Sequence, residues 1–192
     1  MPGDARVMAI YPYVEFVHIA AVVLWLGGGC LCIFSAIKAE RAHNAADFAR
    51  VLRDIMFFVT RLFIPAALVA LAAGLTMAYL AELFAELWIW IGIAGIAATS
   101  LLGLLVMKPR GEKLLVSIER GGASDAVFGP GRQLLQIAKF DYVMLFTVAS
   151  NMVLKPTPSD VAVLAVMAAV VLGAAALFLV PVLRAAPHPA EG

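Results

Sequence analysis

Five long apolar runs, separated by short polar stretches, constrain this chain more than any other feature. A helix that crosses the hydrocarbon core of a bilayer needs about 20 predominantly apolar residues. Runs of that kind lie at about residues 10–37, 56–80, 87–107, 134–154 and 161–183. They predict an all-α, polytopic membrane helical bundle with five transmembrane helices, a four-helix core plus a fifth, C-terminal helix. Residues 1–184 are expected to form one transmembrane domain and residues 185–192 a disordered tail. The first run is too long for a cleaved signal peptide and lacks a small-x-small exit. Composition agrees: 64% of residues are hydrophobic and 14% charged, against about 45–50% and ~25% in soluble domains. A net charge of +1 lacks the basic surplus that a nucleic-acid partner requires. The partner that the composition does imply is the lipid bilayer.

Lys and Arg set the expected orientation. Twelve of them, from Lys38 to Arg184, fall on one side of the five spans, and only Arg6 and Lys155 fall on the other. The N-terminus is therefore expected outside and the C-terminus in the cytoplasm. Asn44 is placed to cap a helix that runs straight into the second span. The stretch from Lys108 to Arg132 reads as a short amphipathic helix, a break at Gly121-Gly122, and a turn at Gly129-Pro130-Gly131. Lys155-Pro156-Thr157-Pro158 reads as a tight outer turn, because proline cannot continue a helix. Trp88 and Trp90 suit an aromatic belt at the outer interface. Arg61 and Asp141 lie at similar inner depths and are expected to pair across the second and fourth spans.

No Walker loop, Rossmann glycine pattern or zinc-protease helix is present. Cys30 and Cys32 are two apart, do not share a helix face, and cannot jointly build a compact zinc site. Ionisable groups within the membrane are expensive and mark function by default. His18 is the most informative of them. Tyr11, Glu15, His18, Val22, Trp25 and Gly29 recur at steps of three or four and so line one helix stripe. A stripe carrying a phenol, a carboxylate, an imidazole and an indole belongs inside the bundle. Counting about 1.5 Å per residue from the outer edge puts His18 level with Gly74, Gly95 and Thr147. Two glycines at that depth leave space for a flat cofactor beside a common metal ligand. Met77, Met144 and Met152 lie within about two turns, as candidates for a second axial ligand or soft copper(I) contacts. His43 and His188 are too far away to contribute. The alternative is a His18 that only bonds a carbonyl or Glu15, with the glycines serving close packing. Asn151 and Lys155 form a further outer-half pair, in which Lys155 either snorkels or meets a cofactor carboxylate.

The ordered set His18-x6-Trp25-x-Gly27-Gly28, Arg61-x3-Pro65, Gly74, Trp88 and Met152-Val153-Leu154-Lys155-Pro156 resembles a bacterial predicted integral membrane protein family of unknown function. That family is similar to HemJ-type protoporphyrinogen oxidase and to the membrane part of CopD-type copper resistance proteins. The resemblance covers about residues 10–156 and omits the fifth span. It implies a bacterial inner-membrane protein, haem b on His18, and a functional Lys-Pro at Lys155-Pro156. HemJ-type first helices continue into an aromatic, Arg-containing segment, where this chain has Gly28-Gly29-Cys30-Leu31-Cys32. The expected cofactor site is thus His18, Glu15, Trp25, Gly74, Gly95, Asn151 and Lys155, with His18, Met144 and Met152 as metal ligands. The expected role is electron transfer or membrane oxidoreductase chemistry near the outer leaflet, with a quinone or porphyrin as partner. Copper handling is the alternative cofactor reading. A third is a cofactor-free subunit of a homo-oligomer or larger membrane complex, suggested by the small residues Ala168, Ala169 and Gly173 to Ala176.

Overall fold

The computed structural model describes residues 2–184, with side chains from residue 9 onward; the expected tail at 185–192 lies outside the described residues. Five long helices carry the chain: α1, Pro2–Arg41; α2, Ala45–Leu80; α3, Leu87–Gly121; α4, Phe128–Leu154; and α5, Val161–Arg184. No strand occurs among the described residues. All five are long and apolar enough to cross a membrane, which makes this an all-helical membrane bundle. The α2–α3 and α4–α5 connections share one end, called here the upper end. The α1–α2 and α3–α4 connections share the lower end.

The helices outrun the bilayer, α1, α2 and α3 most of all. At 1.5 Å per residue the 36 residues of α2 span about 54 Å, against about 30 Å of hydrocarbon. The surplus of α1, α2, α3 and α4 gathers at the lower end around Phe48, Leu52, Leu114, Ile118 and Phe128, all buried. Asn44 starts α2 as expected: its Oδ1 accepts from the backbone N–H of Ala46 at 3.0 Å and of Asp47 at 3.2 Å. The break after α3 falls at Gly122, whose φ of 77° suits glycine. Gly129-Pro130-Gly131 is not a turn. It lies in the first turn of α4, where proline is tolerated because its missing N–H would be unpaired anyway. Gly131 is needed there for a different reason: a Cβ would overlap the Phe48 ring.

Each of α2, α3 and α5 contains one π-helical turn: Val59–Phe63, Leu102–Met107 and Ala175–Leu179. Each ends two residues before a proline, Pro65, Pro109 and Pro181. Proline lacks an N–H and its ring collides with the carbonyl four residues back. Widening the preceding turn by one residue moves that carbonyl aside without breaking the helix.

The first four helices pack in the order α2, α1, α4, α3, while α2 and α3 meet little within the bundle. The α5 helix packs on α4. It buries Ala174, while Ala168, Ala169, Gly173 and Ala176 stay exposed.

Candidate functional site

His18 sits on α1 where α1 crosses α2. Its Nδ1 lies 2.7 Å from the carbonyl oxygen of Ala70. A carbonyl only accepts, so Nδ1 is the protonated ring nitrogen, and in the neutral tautomer this leaves the lone pair on Nε2. A Cβ placed on Gly74 would lie 3.1 Å from His18 Cε1 and 3.2 Å from Nδ1. Ala70 and Gly74, one turn apart, thus cradle the imidazole, one with a carbonyl and the other with an absent side chain.

The ring faces an upper cavity of roughly 330 Å³ walled by all four core helices, at the small end of the range of ligand pockets. Tyr11, Val22, Trp25 and Gly74 belong to its wall, as do Met77, Trp88, Gly92 and Met152. Ile19, Val23 and Val153 line it too and are largely exposed, so part of the wall meets the lipid-facing surface. Polar atoms at this wall are few: the His18 ring, the Tyr11 hydroxyl and the two indoles.

The expected site residues divide. His18, Trp25, Gly74 and Met152 come together at the cavity. Glu15 is exposed and lies outside the wall, as does Met144. Gly95 meets Val148 of α4, whose Cγ2 a Cβ would overlap; its space is taken by packing. Thr147 bonds within its own helix, to Val143 O at 2.8 Å. Asn151 is fully buried and its Nδ2 donates to the Trp88 carbonyl at 2.6 Å, tying α4 to the first turn of α3. Its Oδ1 has no partner among the described residues. The Lys155 ammonium stands 5.4 Å from the centre of the Trp88 ring, within reach of a cation–π attraction.

Two expectations are corrected. Trp88 is 8% exposed and forms cavity wall; only Trp90, 55% exposed and bonded to Phe84 O at 2.9 Å, suits an interfacial belt. Residues two apart on a helix cannot share a face, which was the available signal. Arg61 and Asp141 do not pair. Arg61 lies in the π turn of α2 and is exposed, whereas Asp141 lines a second, lower cavity. The extra residue in that turn rotates Arg61 off the face that a regular helix would give it. Ion pairs do occur at the lower surface, between Asp47 and Arg50 at 3.0 Å and between Glu40 and Arg132.

Sequence reasoning missed Ala70, Trp88 and Gly92 as parts of the upper site. Ala70 and Gly74 are a small-xxx-small pair, a pattern that marks close helix approach, and it was the readable clue.

The Gly27-Gly28-Gly29 stretch serves helix contact. Gly28 faces Phe63 of α2, and Gly29 receives the Tyr142 hydroxyl of α4. That hydroxyl donates to Leu26 O at 2.8 Å. Cys32 lines the lower cavity and Cys30 does not. No cluster of three His, Cys, Asp or Glu side chains that could hold a metal ion exists among the described residues.

No curated protein and no solved structure matches the chain. A family model does match it, over residues 12–156, the stretch that contains His18, the Ala70–Gly74 cradle and the walls of both cavities apart from Tyr11, but not α5. The chain belongs to the family described as predicted integral membrane protein (DUF2269).

Proposed function

We propose that this protein binds haem b in the upper cavity and serves electron transfer or redox chemistry in a bacterial cytoplasmic membrane. One observation carries the reading. The His18 imidazole is held at Nδ1 by a backbone carbonyl 2.7 Å away and lies at the wall of an otherwise apolar cavity. Metal-binding imidazoles characteristically donate their second nitrogen in this way, which fixes the tautomer and raises ligand basicity. The residues present fit a porphyrin: His18 Nε2 would bind its iron, Met77 and Met152 would offer thioethers, and Trp25 and Trp88 would give it apolar aromatic surroundings. Lys155, beside Trp88, is the nearby cation for a propionate. Such a group supplies one-electron transfer. The Lys and Arg distribution supports an upper end that faces outward, which puts His18 in the outer half of the membrane. The reading agrees with the resemblance of the motif set to HemJ-type proteins.

The test is a reduced-minus-oxidised visible spectrum of protein purified in mild detergent from haem-supplied cells. Sharp alpha and beta bands with a Soret shift are expected, and His18→Ala removes them. Bands that survive His18→Ala refute the assignment, and a flat spectrum refutes haem binding. Met77 and Met152 share the wall with His18, and thioether with imidazole is a donor set for copper(I). Bound copper without a Soret band establishes that second reading instead.

A further inference from the structure

The lower cavity has a chemistry of its own. It measures roughly 240 Å³, room for several waters. Its walls are almost wholly hydrocarbon: Ile64, Ala67 and Leu71 of α2, Gly103, Leu104 and Met107 of α3. Such walls cannot give a cluster of waters the two to four hydrogen bonds that each requires. Leu68 of α2 and Leu104 of α3 line the cavity and are 63% and 46% exposed. The α2 and α3 helices meet mainly near their lower ends and have few contacts above them. The cavity therefore opens toward lipid along the α2–α3 seam, and its natural occupant is lipophilic.

One group in the wall asks for more than hydrocarbon. Asp141 of α4 lines the cavity, and its Oδ1 is buried with no hydrogen-bond partner among the described residues. A buried acceptor without a donor is costly, and native structures rarely leave one unless something else satisfies it. Tyr142 already donates to Leu26 O at 2.8 Å and Thr99 to Ile96 O at 3.1 Å; the Ser100 hydroxyl and the Lys108 ammonium also line the cavity, but neither is bonded to Asp141 Oδ1. What is lacking is a donor on a lipophilic body. Trp25, Phe63 and Tyr142 add aromatic surface to the same wall, which favours an aromatic ring as that body.

We propose that the lower cavity is a second binding site, for a membrane-soluble phenol that enters from the bilayer between α2 and α3 and donates its O–H to Asp141. The site does not rest on haem at His18, although Trp25 and Leu71 belong to the walls of both cavities.

The experiment uses the full chain in lipid nanodiscs, with Trp88→Phe and Trp90→Phe so that Trp25 alone fluoresces. The probes are 2-bromo-4-octylphenol and its methyl ether, which share a body and a bromine quencher and differ in the donor. The phenol is expected to quench Trp25 saturably, with a half-quenching concentration about tenfold or more below that of the ether, the ratio for a hydrogen bond to a carboxyl group. Asp141→Leu closes that gap, and Asp141→Asn, which leaves a carbonyl acceptor, narrows it. His18→Ala leaves it unchanged, so failure here and failure of the haem reading are separate results. Equal quenching by phenol and ether overturns the proposal, as does a gap that persists in Asp141→Leu. Should the leucine variant not fold, an unchanged gap in Asp141→Asn overturns it equally.

Discussion

At the α1–α4 seam Gly29 meets Tyr142, and the strength of that contact follows from the geometry. A Cβ added to Gly29 would overlap the Tyr142 hydroxyl and lie 2.6 Å from Tyr142 Cζ and 2.9 Å from Cε2. Non-bonded carbons prefer about 3.5–4.0 Å, so the ring must retreat by roughly 1 Å. Overpacking of that kind costs about 1–3 kcal/mol. The retreat also breaks the hydrogen bond to Leu26 O, worth about 1 kcal/mol. Alanine regains about 1 kcal/mol of helix propensity over glycine. The overlap wins, and Gly29→Ala is expected to destabilise by roughly 1–3 kcal/mol. Tyr142→Phe alone loses only the hydrogen bond, about 1 kcal/mol. In the double variant the hydroxyl overlap is gone and the hydrogen bond is lost once, so the total falls short of the sum by about 1–2 kcal/mol. Unfolding in mixed micelles of mild detergent and dodecyl sulfate, followed by far-ultraviolet circular dichroism, reads all three. Strict additivity, or Gly29→Ala indistinguishable from wild type, refutes the argument.

Three further outcomes follow from neighbouring contacts. Gly92→Ala meets the end of the flexible Met152 side chain, whereas Gly95→Ala meets Val148 Cγ2; methionine yields and β-branched valine does not. The first is expected to cost under about 1 kcal/mol and the second about 1–3, and equal losses in the same unfolding titration refute the distinction. Asn151→Leu removes one donor bond together with an already unpartnered oxygen, so it stays within about 1 kcal/mol of wild type, while Asn151→Ala leaves a cavity and loses more. Asp160 caps the α4–α5 connection by accepting from the Thr157 N–H at 2.8 Å and the Thr157 hydroxyl at 2.7 Å, and these bonds hold its carboxyl below the usual 3.8. Its contribution is full above the ordinary Asp range and is lost as pH falls through the lower folded value. Amide exchange at Thr157 in Asp160→Ala should therefore match wild type at low pH and exceed it near neutrality, and identical exchange at neutral pH refutes the role.

The spans were legible because burial in hydrocarbon demands length and apolarity, and both are properties of a linear string. The Asn44 cap was legible because its hydrogen bonds reach only two and three residues ahead. The meeting of His18 with Gly74 was legible as well, since helical rise converts residue number into depth. What depth cannot convey is azimuth. Gly95 and Gly92 differ by less than one turn, yet only Gly92 belongs to the upper cavity wall. Azimuth also shifts wherever a helix changes its winding, and Arg61 was lost to a pairing with Asp141 for that reason. Pro65, two residues beyond the widened turn, is the sequence mark of the change, as Pro109 and Pro181 are in α3 and α5.

The glycines explain where the cavities lie, though not in the way open space beside a glycine suggests. A missing side chain is room that either a ligand or a neighbouring helix can claim. Here the helices claim it. Gly28 admits Phe63 and Gly74 admits His18, which closes α1 on α2; Gly29 admits Tyr142, which joins α1 to α4; Gly92 and Gly95 admit Met152 and Val148, which closes α3 on α4. Three seams of the four-helix core are therefore drawn tight. Between α2 and α3 the one such contact among the described glycines is Gly111 with Met56, far down at the lower end. Above it, residues of both helices line first the lower cavity and then the upper one. The void in this bundle runs beside the part of the seam that no glycine closes, and His18 and Asp141 are set against it at different depths.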